Sequence, residues 1–155
     1  MIRNLLSNIQ QRIAKITDIE SCYVYPIPRS DVTAPMVCLE IANFSTGDDP
    51  ATSELALTIN MEARVVVDSV VDDAEIICQT LACNVANTIH SNSFGCAVSP
   101  ANVTGISRDS FKPEFDAYVC WLVEWSHQIH LGQSVWLESG VTLSSPPIIS
   151  PNNSS

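Results

Sequence analysis

Apolar and polar residues alternate through Glu54 to Asp68 and again through Asp116 to His130, about fifteen positions each. An ordinary strand runs to roughly five or six residues. In the first stretch Leu55, Leu57, Ile59, Met61, Ala63, Val65 and Val67 fall on one face, and Glu54, Thr58, Asn60, Glu62, Arg64 and Asp68 on the other. In the second, Val119, Trp121, Val123 and Trp125 share a face opposite Tyr118, Cys120, Leu122, Glu124 and Ser126. At about 3.3 Å per residue such a strand reaches on the order of 50 Å, whereas a compact chain of this length is about 40 Å across. Each long strand therefore either bends at a bulge or projects to meet another subunit.

Helical spacing appears twice. Ile2, Leu5, Leu6, Ile9, Ile13 and Ile16 recur at three- and four-residue steps, against a face of Asn4, Asn8, Gln11, Arg12 and Lys15. Val71, Ala74, Cys78, Leu81, Ala82, Val85 and Ile89 do the same, with Asp72, Asp73 and Glu75 at the start, where a helix dipole favours anions, and Asp68 or Ser69 as the expected cap. Ser21 to Tyr25 reads as a short strand stopped by Pro26 and Pro28, Val37 to Ala42 as a second, and Ala101 to Ser107 as a third. Asn43 to Ser53, with Gly47, Asp48, Asp49 and Pro50, has the residues of a loop. This order predicts an α+β fold: a mainly antiparallel sheet with long strands and two helices packed on one face. Residues 1–140 form one domain in this reading, and residues 141–155, rich in Ser, Pro and Asn, an extended tail.

Composition narrows the function. The 155 residues are 46% apolar and 15% charged, a low charged fraction that fits either a generous core or a subunit whose apolar surface is covered by neighbours. A formal net charge of −10 opposes nonspecific attraction to nucleic-acid phosphates or an anionic membrane, yet suits a passage through which DNA slides without sticking. No run is long enough to span a bilayer, and the polar Asn8, Gln10, Gln11 and Arg12 interrupt any secretion-signal core. Cys22, Cys38, Cys78, Cys83, Cys96 and Cys120 include no CxxC pair, so the pattern points to reduced, buried thiols.

Candidate chemistry is sparse. Cys120, His127, His130 and Asp116 are the residue types of a thiol nucleophile and its base. On a strand, however, Cys120 and His127 point to opposite faces, and His130 lies about 30 Å further along. The three-residue spacing of His127 and His130 converges on a helix and diverges on a strand, so both are expected at the edge or rim, without a metal. Asp48 with Asp49 and Asp72 with Asp73 lack calcium-loop spacing; they serve as a solvated loop and a helix start, or line a negative passage. Glu62 and Arg64 share the polar face with Glu54, Thr58 and Asn60 and are candidates for contact with a partner subunit. Trp136 is a candidate interface anchor, with a core position the alternative. No cofactor site is expected.

Taken together, the N-terminal helix, the segment Ala34-Pro35-Met36-Val37-Cys38-Leu39-Glu40, the long Leu55 to Val67 strand, the acidic-start helix ending near Ile89, and Phe111-Lys112-Pro113-Glu114-Phe115-Asp116-Ala117-Tyr118 leading into Val119 to Trp125 resemble the tail terminator proteins of long-tailed bacteriophages, the group related to the lambda minor tail protein U and to similar subunits of contractile tails. The likeness covers about residues 1–137 and lies in order and pattern, since the family has no catalytic signature. It implies a non-enzymatic virion subunit at the tail–neck junction, made in the host cytoplasm and assembled into a ring, commonly a hexamer. Such a ring binds the last disk of tail tube protein, halts polymerisation and offers a surface to head-completion proteins, or to sheath protein in contractile tails, while DNA passes through. A neighbouring connector or tail completion subunit is the close alternative, and a small hydrolytic or ligand-binding domain the alternative of another class.

Overall fold

The computed structural model describes residues 1–26, 33–47, 54–109 and 117–131. Its elements are α1 (Ile2–Ala14), β1 (Ser21–Val24), β2 (Met36–Thr46), β3 (Leu55–Asp68), α2 (Ala74–Ile89), β4 (Asn102–Arg108) and β5 (Tyr118–Leu131). The five strands form one sheet in the order β1-β2-β3-β5-β4. Every pairing is antiparallel except β1 with β2. The fold is α+β, with both helices on one face.

The two long alternating stretches become the middle of the sheet. β3 and β5 pair without interruption from Leu55↔Leu131 to Asp68↔Tyr118, 14 registered pairs. At about 3.3 Å per residue this ribbon is about 45 Å long. The bulges sit on its flanks, between Ile41 and Asn43 in β2 and between Val103 and Gly105 in β4, so the outer strands absorb the irregularity and the ribbon stays in register. Close approach at the second bulge explains Gly105, where an added Cβ would lie 3.2 Å from Glu124 Oε1.

The core follows the alternation. Ile59, Met61, Ala63, Val65 and Val67 of β3 meet Val123, Trp125 and Ile129 of β5 on one face, beneath Leu5, Ile9 and Ile13 of α1 and Cys78, Leu81, Ala82, Val85 and Ile89 of α2. The spacing of four in α1 is what brings its three buried residues onto one stripe. On the other face, Met36, Cys38, Val66 and Cys120 form a second, smaller apolar cluster beside Tyr23 and Tyr118. Cys22, Cys38, Cys78 and Cys120 are buried, in keeping with the expectation of buried thiols, whereas Cys96 is half-buried and Cys83 is exposed on α2, contrary to it.

Two local expectations fail. Asn43 to Thr46 continue β2 rather than opening a loop, because they pair in register with Asn60 to Leu57 and the Asn60 side-chain amide donates to Asn43 Oδ1 at 2.8 Å and Ser45 Oγ at 3.1 Å. Polar side chains bonding across strands replace the apolar alternation that would have marked a strand. Second, α2 starts at Ala74 behind Asp73, whose backbone is left-handed (φ 59°) and whose side chain makes no capping bond. Asp68 instead accepts from the Val70 N–H at 3.1 Å, and Ser69 Oγ donates to the Ala117 carbonyl at 2.8 Å, so the two expected caps hold the β3 turn.

Candidate interaction surface

The sheet face opposite the helices carries the polar positions of the long strands. Register aligns them in rows across β2, β3, β5 and β4: Cys38, Arg64, Leu122 and Ser107; then Glu40, Glu62, Glu124 and Gly105; then Asn43, Asn60, Ser126 and Asn102. Ser45, Thr58 and Gln128 make a further row. The middle row sets three carboxylates side by side on neighbouring strands, an arrangement that like-charge repulsion disfavours.

Arg64, one row away, offsets that repulsion. Its Nε donates to Asp109 Oδ2 at 2.6 Å, its Nη1 to Glu40 Oε1 at 2.7 Å, and its Nη2 lies 3.1 Å from Glu62 Oε1. Arg64 and Asp109 are buried, and the two glutamates keep about a fifth of their side chains exposed, 21% for Glu40 and 19% for Glu62. Burial works to lower the pKa of the guanidinium, but the hydrogen bond to Asp109 and the charges of Glu62, Asp109 and Glu40 outweigh it and hold the group above its ordinary value. The three carboxylates around the guanidinium, with Glu124 beside Glu62 on β5, leave a formal charge of −3. Beyond the apolar cluster of Met36, Cys38, Val66 and Cys120, these rows make the face acidic and rich in hydroxyls and amides, a character that disfavours phosphate and suits cationic groups.

Of the sequence-derived interface residues, Thr58, Asn60, Glu62 and Arg64 lie together on this face, and Glu54 just precedes β3, half-buried. Arg64 is spent inside its own chain, so any partner meets the carboxylates around it rather than the guanidinium. Asp72 and Asp73 are exposed in the turn before α2. Asp48, Asp49, Asp116, Trp136 and residues 141–155 lie outside the described residues. Glu40, Glu124 and Asp109 complete the cluster; local sequence does not reveal them, because the register that joins them is set by pairing between distant strands.

The other candidate chemistry separates as strand geometry requires. Cys120 belongs to the second face, and burial first, then Asp109, pushes its thiol up to about 12. His127 is on the core face and is buried rather than at a rim. His130, three residues on, is exposed. No group of three or more His, Cys, Asp or Glu among the described residues is arranged to hold a metal ion, and no helix among them is long and apolar enough to cross a membrane.

No protein-family model matches the sequence, and no curated protein does. Among solved structures, a chain from the virion of a native gene transfer agent particle superposes with a TM-score of 0.53. The superposition spans 81% of this chain and 94% of that chain at 11% sequence identity. The two chains share a fold. At this identity the likeness concerns architecture, and it extends over nearly all of the virion chain.

Proposed function

We propose that this chain is a virion structural protein of the phage tail type, a ring-forming subunit that caps the tail tube, ends its polymerisation and presents the joining surface to head-completion proteins. The observation that carries the reading is the shared fold with a chain of a gene transfer agent virion over 94% of that chain's length. The order and pattern of elements that resemble tail terminators support its finer part.

The physics of such a cap needs two unlike surfaces, one that matches the end of the tube and one that refuses a further tube subunit. This chain has a helix-covered face and an acidic sheet face on opposite sides of one sheet. Acidic walls would let DNA pass without adhering, in keeping with the net charge of −10. The role requires binding and exclusion, not bond-breaking, and no enzymatic activity forms part of this proposal.

Negative-stain imaging of the purified protein, alone and mixed with tail tubes, tests it. Rings, or tubes closed at one end, are the expected result. A monomer that leaves tube ends bare overturns the reading.

A further inference from the structure

His127 sits at the centre of a set of hydrogen bonds that fasten the segment between α2 and β4, residues 91–101, onto the far end of β5. Its side chain has no solvent exposure. The Trp125 indole N–H donates to His127 Nε2 at 3.1 Å. An indole nitrogen has no lone pair to accept with, so Nε2 must be the bare nitrogen, and the ring proton resides on Nδ1. Nδ1 in turn donates to the Ser99 carbonyl at 2.8 Å. Around this bond the Ser99 N–H donates to the Gln128 carbonyl at 2.9 Å, and the Gln128 N–H to Ser99 Oγ at 2.7 Å. The Phe94 ring stands edge-on to the imidazole, 6.1 Å between centroids.

The fastened segment is under conformational load. Ser91 and Phe94 are non-glycine residues with left-handed backbones (φ 63° and 55°), beside Gly95 at 70°. Such conformations persist where the surroundings over-determine them. On its other side the segment is bonded to α1, through the Asn8 amide donating to the Phe94 carbonyl at 2.8 Å.

A second proton on His127 has nowhere to go. It would turn Nε2 into a donor facing the Trp125 N–H, and it would place a charge in a dry core. No described group that packs there is charged: the cross-strand neighbour from β3 is Ile59, β5 supplies Trp125, and residues 91–101 supply Phe94 and Ser99, with the Cys96 thiol nearby on Asn8. Of the remaining histidines, His90 is exposed just before the segment and accepts from the Val103 N–H, and His130 is exposed three residues further along β5. The carboxylates around Arg64 lie on the opposite face of the sheet.

We propose that His127 is an acid-sensitive latch: neutral, it clamps residues 91–101 across β5 and α1, and on protonation it releases that segment and remodels the helix-side surface at this end of the molecule. Burial lowers the imidazole pKa from its ordinary value, with the Ser99 carbonyl pulling the other way. For a base with a depressed folded-state pKa, stability is complete above the unfolded value, about 6.5, and falls as the pH drops below it until the folded group itself protonates.

Amide hydrogen exchange, corrected for intrinsic rates, reads the release in the intact chain. Between pH 7.5 and pH 5, exchange at Ser99, Ala101 and Gln128 should accelerate by up to about tenfold per pH unit, the slope of one proton. In His127→Gln, whose amide can accept from Trp125 and donate to Ser99 without titrating, the acceleration should vanish. Equal acceleration in both proteins, or none in the parent, overturns the latch. If the variant does not fold, NMR titration of the parent decides: a His127 pKa below 6.5 accompanied by loss of protection at Ser99 supports it, and any other pKa or order of events overturns it.

Discussion

Arg64 and Asp109, 45 positions apart in sequence, meet at 2.6 Å between Nε and Oδ2, and both are buried. Their bond ties the centre of β3 to the residue that follows β4, over the top of β5, which lies between the two strands. Removing the guanidinium leaves Asp109, Glu40 and Glu62 crowded without a counter-charge. Arg64→Leu should lower the unfolding free energy by about 3 kcal/mol, the scale for unpairing a buried ion cluster, as measured by urea denaturation. Arg64→Lys should fall in between, since one ammonium cannot reproduce the three-way fork. A neutral result for Arg64→Leu would show that the cluster is not stabilising.

The thiols should sort by position. Burial pushes Cys22, Cys78 and Cys120 up to about 12, so at pH 8 almost none of each is thiolate. Alkylation of the native protein at pH 8, mapped by mass spectrometry, should label the exposed Cys83 first. Cys22, Cys38, Cys78 and Cys120 should react only once denaturant opens the core. Rapid native labelling of Cys120 would contradict the described packing.

Glu75 joins two layers, with Oε1 receiving Arg108 Nη1 at 2.6 Å and Oε2 receiving the Trp121 indole N–H at 2.6 Å. Glu75→Ala should cost about 1–2 kcal/mol and shift tryptophan fluorescence, mostly through the Trp121 bond. Arg108→Ala should cost under about 1 kcal/mol, because an exposed ion pair is weak. Equal costs would mean that the ion pair, not the indole, anchors the start of α2.

Phe44 and Leu55 are exposed, at 48% and 53%, near the end of the sheet where β2, β3 and β5 run beyond β1 and β4. If copies of this chain assemble through that end, Phe44→Ser with Leu55→Ser should abolish rings in electron micrographs. The melting of the isolated subunit should shift little, within about 0.5 kcal/mol, as is usual for surface changes. Intact rings from the double variant would remove this end from the contact.

How much of this was legible in the sequence depended on whether a signal was local. The odd-numbered face from Leu57 to Val67 and the Leu5, Ile9, Ile13 stripe were readable because burial follows the period of the element itself. The extension of β2 through Asn43 and Ser45 was hidden, since its evidence is a bond to Asn60, not a pattern. The burial of His127, expected at a rim, is hidden for the same reason. Its partner Trp125 was visible two positions away, but Ser99 arrives from another part of the chain. The acidic row was half visible: Glu62 stood out, while Glu40 and Glu124 join it only through register.

The unbroken β3–β5 ribbon also bears on how the chain reaches its shape. α2 and β4 are threaded between its two halves in sequence, so the nearest pair, Asp68 with Tyr118, is 118 − 68 = 50 positions apart and the farthest, Leu55 with Leu131, is 131 − 55 = 76. Pairings this remote carry a loop-closure cost that must be met before any of them is rewarded, and they slow the search for the native state. During synthesis β3 gains none of these pairs until β5 emerges from Tyr118 onward, after β1, β2, both helices and β4 are already made. The β2–β3 pairs, from 57 − 46 = 11 to 66 − 36 = 30 positions apart, carry a smaller closure cost than any pair of the ribbon.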